Sequence, residues 1–238
     1  MKATKQVQSP NDPSKTLNEF LTDYHEDGDT TDGDGVNVKI LGSGTDHAPF
    51  AYYAGLPSAY HHFEVDTKLY PKTGAYPTYH TGFETFYLVD RIIDPGFAIS
   101  KSSAQFNLHV ILQLAERPLL PFSLTEILSV LEQALQGDNF RALRQIGLGE
   151  SLDVMTEALL NFKTAVLDWE RELERMQEAG ELEDSLRLRM MNDQMMLLER
   201  VFLLPDGLPG RKNYRHALLS PSKFNSYGLL TLSPAPAS

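Results

Sequence analysis

Apolar positions along the chain change rhythm twice. Residues 1–35 are polar, rich in Asp, Gly, Ser and Thr, and show no apolar period. "VNVKIL" at 36–41 then alternates apolar and polar side chains, as a half-buried strand does. "GSGT" at 42–45 breaks the alternation, and Asp46 is placed to cap a short helix over "HAPFAYYAG" that closes at Gly55. "LPSAYHHFEV" at 56–65 reads as a second extended segment. Strand, helix, strand in this order predicts a piece of an α/β sheet, too small to be a whole domain.

From Thr81 onward the period is helical. Phe83, Phe86, Tyr87, Val89 and Ile93 recur at helix spacing until "DPG" ends the segment. A helix is predicted from Ser102 to Glu116, stopped by "RPLLPF". Ser123 and Glu126 form a capping box ahead of a stripe made by Leu124, Ile127, Leu128, Leu131 and Leu135. Between Ser151 and Glu178, Leu152, Met155, Leu159, Phe162, Val166, Trp169, Leu173 and Met176 alternate spacings of three and four. That is the a/d seam of a helix roughly 40 Å long that requires a partner along its length. "DSLRLRMMNDQMMLLERVFLL" is apolar nearly all round and predicts a central helix. Its methionines read as core packing, because thioethers fill irregular gaps. The expected fold is α+β: a polar acidic connecting segment over 1–35, the edge of an α/β domain over 36–100, and an antiparallel helical bundle over 101–238.

Composition narrows the chemistry. The chain has 238 residues, a formal net charge of -11 and no cysteine. The charge argues against nucleic acid as a partner. The missing cysteines exclude disulfides, thiolate zinc sites and cysteine nucleophiles. The lysines of "MKATKQVQSPNDPSK" are followed by no apolar core, so a signal peptide is not expected there, and no apolar run is long enough to span a bilayer. Asp27, Asp29 and Asp32 do not follow the EF-hand spacing, and Val38 stands where the closing glutamate would be, so this stretch reads as a solvated acidic loop. His61 and His62 are adjacent on an extended segment and point to opposite faces, which argues against one shared ion. His80, in "YPTYH", reads by itself as a structural histidine.

Four collinear stretches change that reading. "LGSGTDHAPFAYYAGLPS", "YPTYHTGFETFYLVDRIIDPGF", "LRMMNDQMMLLERVFL" and "YRHALLSPSKFNSYG" resemble the C-terminal third of the glutamate carboxypeptidase II family, the NAALADase-like zinc peptidases related to the transferrin receptor. The likeness runs from about residue 36 to 228. It implies part of a two-zinc peptidase domain followed by a transferrin receptor-like helical domain that forms a homodimer. By resemblance, His80 is a zinc ligand and Tyr79 hydrogen-bonds the oxyanion of the tetrahedral intermediate. Neutral imidazole suits Zn²⁺, and a phenol can donate to developing negative charge. Ser43, Gly44 and Thr45 match the family loop that lines the substrate cleft, and Asn225 and Tyr227 match the segment that holds the substrate's C-terminal carboxylate.

The departures set further expectations. Ser226 stands where glutamate-preferring members carry lysine, and Ala59, Tyr60, His61 and His62 occupy a stretch that in those members carries arginines. A preference for neutral over glutamate C-terminal residues follows. The family's other zinc ligands and its general base match nothing here, and the tail "LLTLSPAPAS" departs from the family's final helix. The reading is the C-terminal portion of a zinc-dependent exopeptidase, truncated at both ends. On this reading it is inactive alone, holds no zinc tightly by itself, and meets a peptide substrate only with the upstream half present. The alternative is a receptor-like dimerising partner without enzymatic activity. Localisation is left open; the resemblance implies type II membrane proteins with an extracellular catalytic region.

Overall fold

The computed structural model describes residues 3–24, 41–66, 69–70, 72, 76–136, 138–183 and 185–221. The acidic loop and almost all of "VNVKIL" lie outside these residues, as do Asn225, Ser226 and Tyr227. Contacts divide the chain into two compact units: Met1–Lys39 with His61–Glu116, and Ile40–Tyr60 with Arg117–Ser238.

In the first unit, α1 (Leu17–Tyr24) and α3 (Ala98–Glu116) supply the core. Ala3, Val7, Leu17 and Phe106 are buried together, flanked by Leu21 and Val110. The Ser102 hydroxyl, buried on α3, donates to the Gln8 carbonyl at 2.9 Å and ties the N-terminal turn to the helix. α2 is a single turn (Phe86–Leu88) that widens into a π-turn over Val89–Ile93. The helical period read from Thr81 is thus realised only from Phe86, after a run of turns. α3 begins four residues before its expected start. The Asp94 carboxylate accepts the Ile99 and Ser100 amides at 2.9 and 2.8 Å and the Ser100 hydroxyl at 2.8 Å, which satisfies the first turn.

In the second unit, α4 (Leu124–Gln136) starts where the capping box places it: Ser123 Oγ accepts the Glu126 amide at 3.3 Å. α5 (Asp138–Gln145) has too few apolar residues to announce itself and is absent from the periodicity. α6 (Gly149–Glu178) is the long seam helix, about 45 Å at the usual rise. Leu152, Val166 and Met176 of the seam are buried, and Leu159, Phe162, Trp169 and Leu173 are half-buried. Lys163 pairs with Glu132 of α4 at 2.8 Å, and Arg144 of α5 pairs with Asp153. These bridges lie at matched distances either side of the Gln145–Gly149 turn, so α4 and α5 run back antiparallel to α6. Arg175 chelates Glu172 and Glu181, and Arg187 also reaches Glu181, holding the turn into α7 (Ser185–Val201).

α7 departs from the expected all-round burial. Met191 and Met195 are buried on one side, whereas Leu186, Met190, Leu197 and Val201 are exposed on the other. Their spacing of four, seven and four aligns them in one stripe. After α7 the chain doubles back. Ala217 donates to Phe202 O at 2.8 Å and Leu204 to Arg215 O at 2.7 Å, with an isolated bridge between Leu203 and His216. Arg215 and His216 both donate to Tyr52 O, at 2.8 and 3.1 Å, stitching this return to the π-turn Pro49–Tyr53. Gly55 ends that turn at φ +60°; a Cβ there would sit 2.9 Å from Leu203 Cδ1 and 3.1 Å from Arg200 Cα, so only glycine fits.

The described residues contain isolated bridges and no strand. The extended segment expected at 56–65 follows an irregular path. No helix among the described residues is long and apolar enough to cross a membrane.

Candidate functional site

The residues singled out by sequence fall in two places, one in each unit. In the first unit, "YPTYH" forms a turn: the Tyr79 amide donates to Tyr76 O at 3.0 Å, and both the amide and the hydroxyl of Thr81 donate to Thr78 O. Proline at 77 pre-sets the first dihedral of this turn. His80 sits at φ +60°, a left-handed conformation that a non-glycine residue adopts at a cost. Glu84 holds it there. One carboxylate oxygen accepts the His80 amide at 3.0 Å, and the other accepts the Tyr76 hydroxyl. That hydrogen bond raises the Tyr76 pKa. The Tyr79 and His80 rings stack at 3.8 Å, and both side chains are exposed. Glu84 was invisible to sequence reasoning, because its role depends on the turn reversing the chain.

The second place is the loop Gly42–Thr45 and the π-turn behind it. Ser43, Gly44 and Thr45 form a half-buried bend. Thr45 O accepts the Ala48 amide at 3.1 Å and so starts the helical turn in place of the Asp46 side chain. The Thr45 hydroxyl lies within hydrogen-bonding distance of His47 Nδ1, and His47 Nε2 lies 2.6 Å from Gly42 O. Tyr52, fully buried, reaches the carbonyls of Leu41 and Gly42, the latter at 2.9 Å. Burial, reinforced by Tyr214, pushes its phenol up to about 12. The His47 ring lies edge-on to Tyr52 and 5.9 Å from Tyr60.

His61 and His62 do not converge. His61 meets Ser103 at 3.1 Å and packs on Phe106, and burial, then His62, lowers its pKa. His62 pairs with Glu64 at 2.6 Å. Among the described residues no three His, Asp or Glu side chains gather as a metal site. Zinc prefers four ligands. The described residues therefore do not make a zinc shell around His80.

Residues 150–233 match the transferrin receptor-like dimerisation domain, so α6 from its second residue, α7 and the returning segment lie inside that match. Over 92% of its length the chain is 31% identical to the aminopeptidase NAALADL1 of Mus musculus and 32% identical to that of Rattus norvegicus. Over 95% it is 28% identical to the probable glutamate carboxypeptidase LAMP1 of Arabidopsis thaliana. The chain is similar to the NAALADase-like and glutamate carboxypeptidase proteins. It covers 29–30% of the length of these three relatives. The similarity to the two NAALADL1 relatives thus runs along 92% of this chain.

Proposed function

We propose that this chain forms the C-terminal part of a zinc-dependent exopeptidase, supplying one edge of its α/β peptidase domain, part of the substrate cleft and the helical bundle through which two copies pair. The observation that carries this reading is the exposed stripe of α7 within the stretch that matches a dimerisation domain.

On the catalytic side, the reading assigns His80 to a zinc whose other ligands lie outside the described residues. Tyr79 donates its phenolic hydrogen to the oxygen that gains charge as a peptide carbonyl is attacked. The left-handed backbone at His80, clasped by Glu84, supports this assignment, because strain of this kind collects where a side chain must be aimed. Ser43, Gly44, Thr45, Asn225 and Tyr227 are assigned to the substrate. Ser226 and the arginine-free "AYHH" favour neutral over glutamate terminal residues.

A chimaera tests the reading. This chain replaces the matching C-terminal region of the mouse aminopeptidase, and hydrolysis and mass are measured. The expected product is a dimer that cleaves peptides, loses activity with His80→Ala and loses about 10²–10³-fold in kcat with Tyr79→Phe. A dimer that never cleaves would favour the receptor-like partner instead, and a folded monomer would overturn the bundle assignment.

A further inference from the structure

The hydrogen-bond directions around His47 are determined by the acceptor it faces. Gly42 O can only accept, so His47 Nε2, 2.6 Å away, carries a proton. In neutral imidazole the other nitrogen is then bare, and His47 Nδ1 accepts the Thr45 hydroxyl proton. Gly42 O has two lone pairs, and the Tyr52 hydroxyl, which also reaches Leu41 O, shares its one proton between the two carbonyls. The hydroxyl of Thr45 is thereby committed inward. What remains on its outer side is lone pair.

We propose that His47 fixes Thr45 as a hydrogen-bond acceptor toward the loop's ligand, so that the Gly42–Thr45 loop selects a group that donates, such as an amide, over a carboxylate. This rests on the assignment of Thr45 to the substrate cleft. A threonine free to rotate could serve either group. A threonine whose proton is held by His47 repels a carboxylate oxygen, lone pair against lone pair, and receives an N–H. The arrangement acts in the same direction as Ser226 and the missing arginines, but through a dipole inside the cleft loop rather than through lost charge. The titratable groups that face the His47 ring are Tyr52 and Tyr60, at 6.3 and 5.9 Å, and Asp46 precedes it on the chain.

The test uses the full chain with ¹⁵N-labelled histidine and two probes, succinamide and succinate, followed by NMR at pH 8. His47→Phe assigns the resonances and keeps an aromatic ring against Tyr52 and Tyr60. The expected spectrum has His47 protonated on Nε2 and bare on Nδ1. Succinamide is expected to perturb the Thr45 amide at about 3- to 10-fold lower concentration than succinate, the range of one neutral hydrogen bond. His47→Phe, which frees the hydroxyl, and Thr45→Val, which removes it, should each abolish that preference. A proton on Nδ1, or an undiminished preference in the two variants, overturns the proposal and leaves the cleft assignment standing. Absence of any Thr45 response to either probe, with the expected tautomer present, overturns the cleft assignment and the proposal with it.

Discussion

The buried imidazole of His216 lies 2.6 Å from the Glu199 carboxylate, and its Nδ1 accepts the Leu219 amide at 3.0 Å. Because that amide can only donate, Nδ1 is bare and Nε2–H donates to Glu199. One ring therefore joins α7 to the returning chain and to the segment beyond it.

His216→Ala is expected to destabilise the second unit by about 2–3 kcal/mol, since it leaves Glu199 and the Leu219 amide without their partner and opens a cavity. Urea unfolding followed by tryptophan fluorescence reads the change directly, because Trp169 lies in this unit. A loss below roughly 0.5 kcal/mol, the range of ordinary surface substitutions, would mean that the ring does not join these segments.

Two glycines share a left-handed backbone and differ in surroundings. Gly55→Ala meets both the conformational cost and the side chain of Leu203, and a loss of about 2–3 kcal/mol is expected. Gly180→Ala, at φ +69° with open space around it, carries the conformational cost alone, about 1 kcal/mol. Equal losses in thermal unfolding would show that Leu203 yields to the new methyl group.

Asp94 sets the start of α3. Burial pushes its carboxyl pKa up, but the amides of Ser100 and Ile99 outweigh burial and hold it below its ordinary value of 3.8. A depressed pKa contributes stability that is present above the ordinary value and lost as pH falls through the folded value. Asp94→Ala is expected to cost about 1–2 kcal/mol at neutral pH, in line with lost N-caps. The gap between variant and wild type should close below the ordinary carboxyl range and persist from pH 5 to 8. A gap that stays constant down to pH 2 would remove ionised Asp94 as the cause.

Self-association is expected to depend on α7. Met190 and Leu197 lie on its exposed stripe, and Met190→Lys with Leu197→Lys should convert a dimer to a monomer in light scattering at tens of micromolar. Their helical signal by circular dichroism should be unchanged, because both side chains already face solvent. A variant that still dimerises would move the interface elsewhere.

What could be read from the sequence was what local spacing carries. The α6 seam and the Ser123 cap are both encoded within a few residues and appear where expected. α7 was legible as a helix, but not as a half-exposed one, since an apolar circumference does not say which neighbours are present. The start of α3 was misplaced because Asp94 caps across a Pro-Gly turn, which reads as an ending. In the candidate site it was the family resemblance of "YPTYH" that marked His80, yet Glu84, four residues on, becomes its clasp only through a reversal of the chain. The mutual orientation of Thr45 and His47 likewise depends on the carbonyl of Gly42, a backbone group that carries no sequence signal.

The linker between α3 and α4 bears on how this chain avoids the wrong company. Pro118 and Pro121 have no amide hydrogen, and Asn192 of α7 takes the Leu120 amide at 2.9 Å and the Pro118 carbonyl at 2.8 Å. A passing strand would find few of the alternating donors and acceptors it needs to zip onto this stretch. The buried side of α7 is thus held by a backbone that is a poor template for cross-β growth, and the exposed stripe is left on the opposite face of the helix.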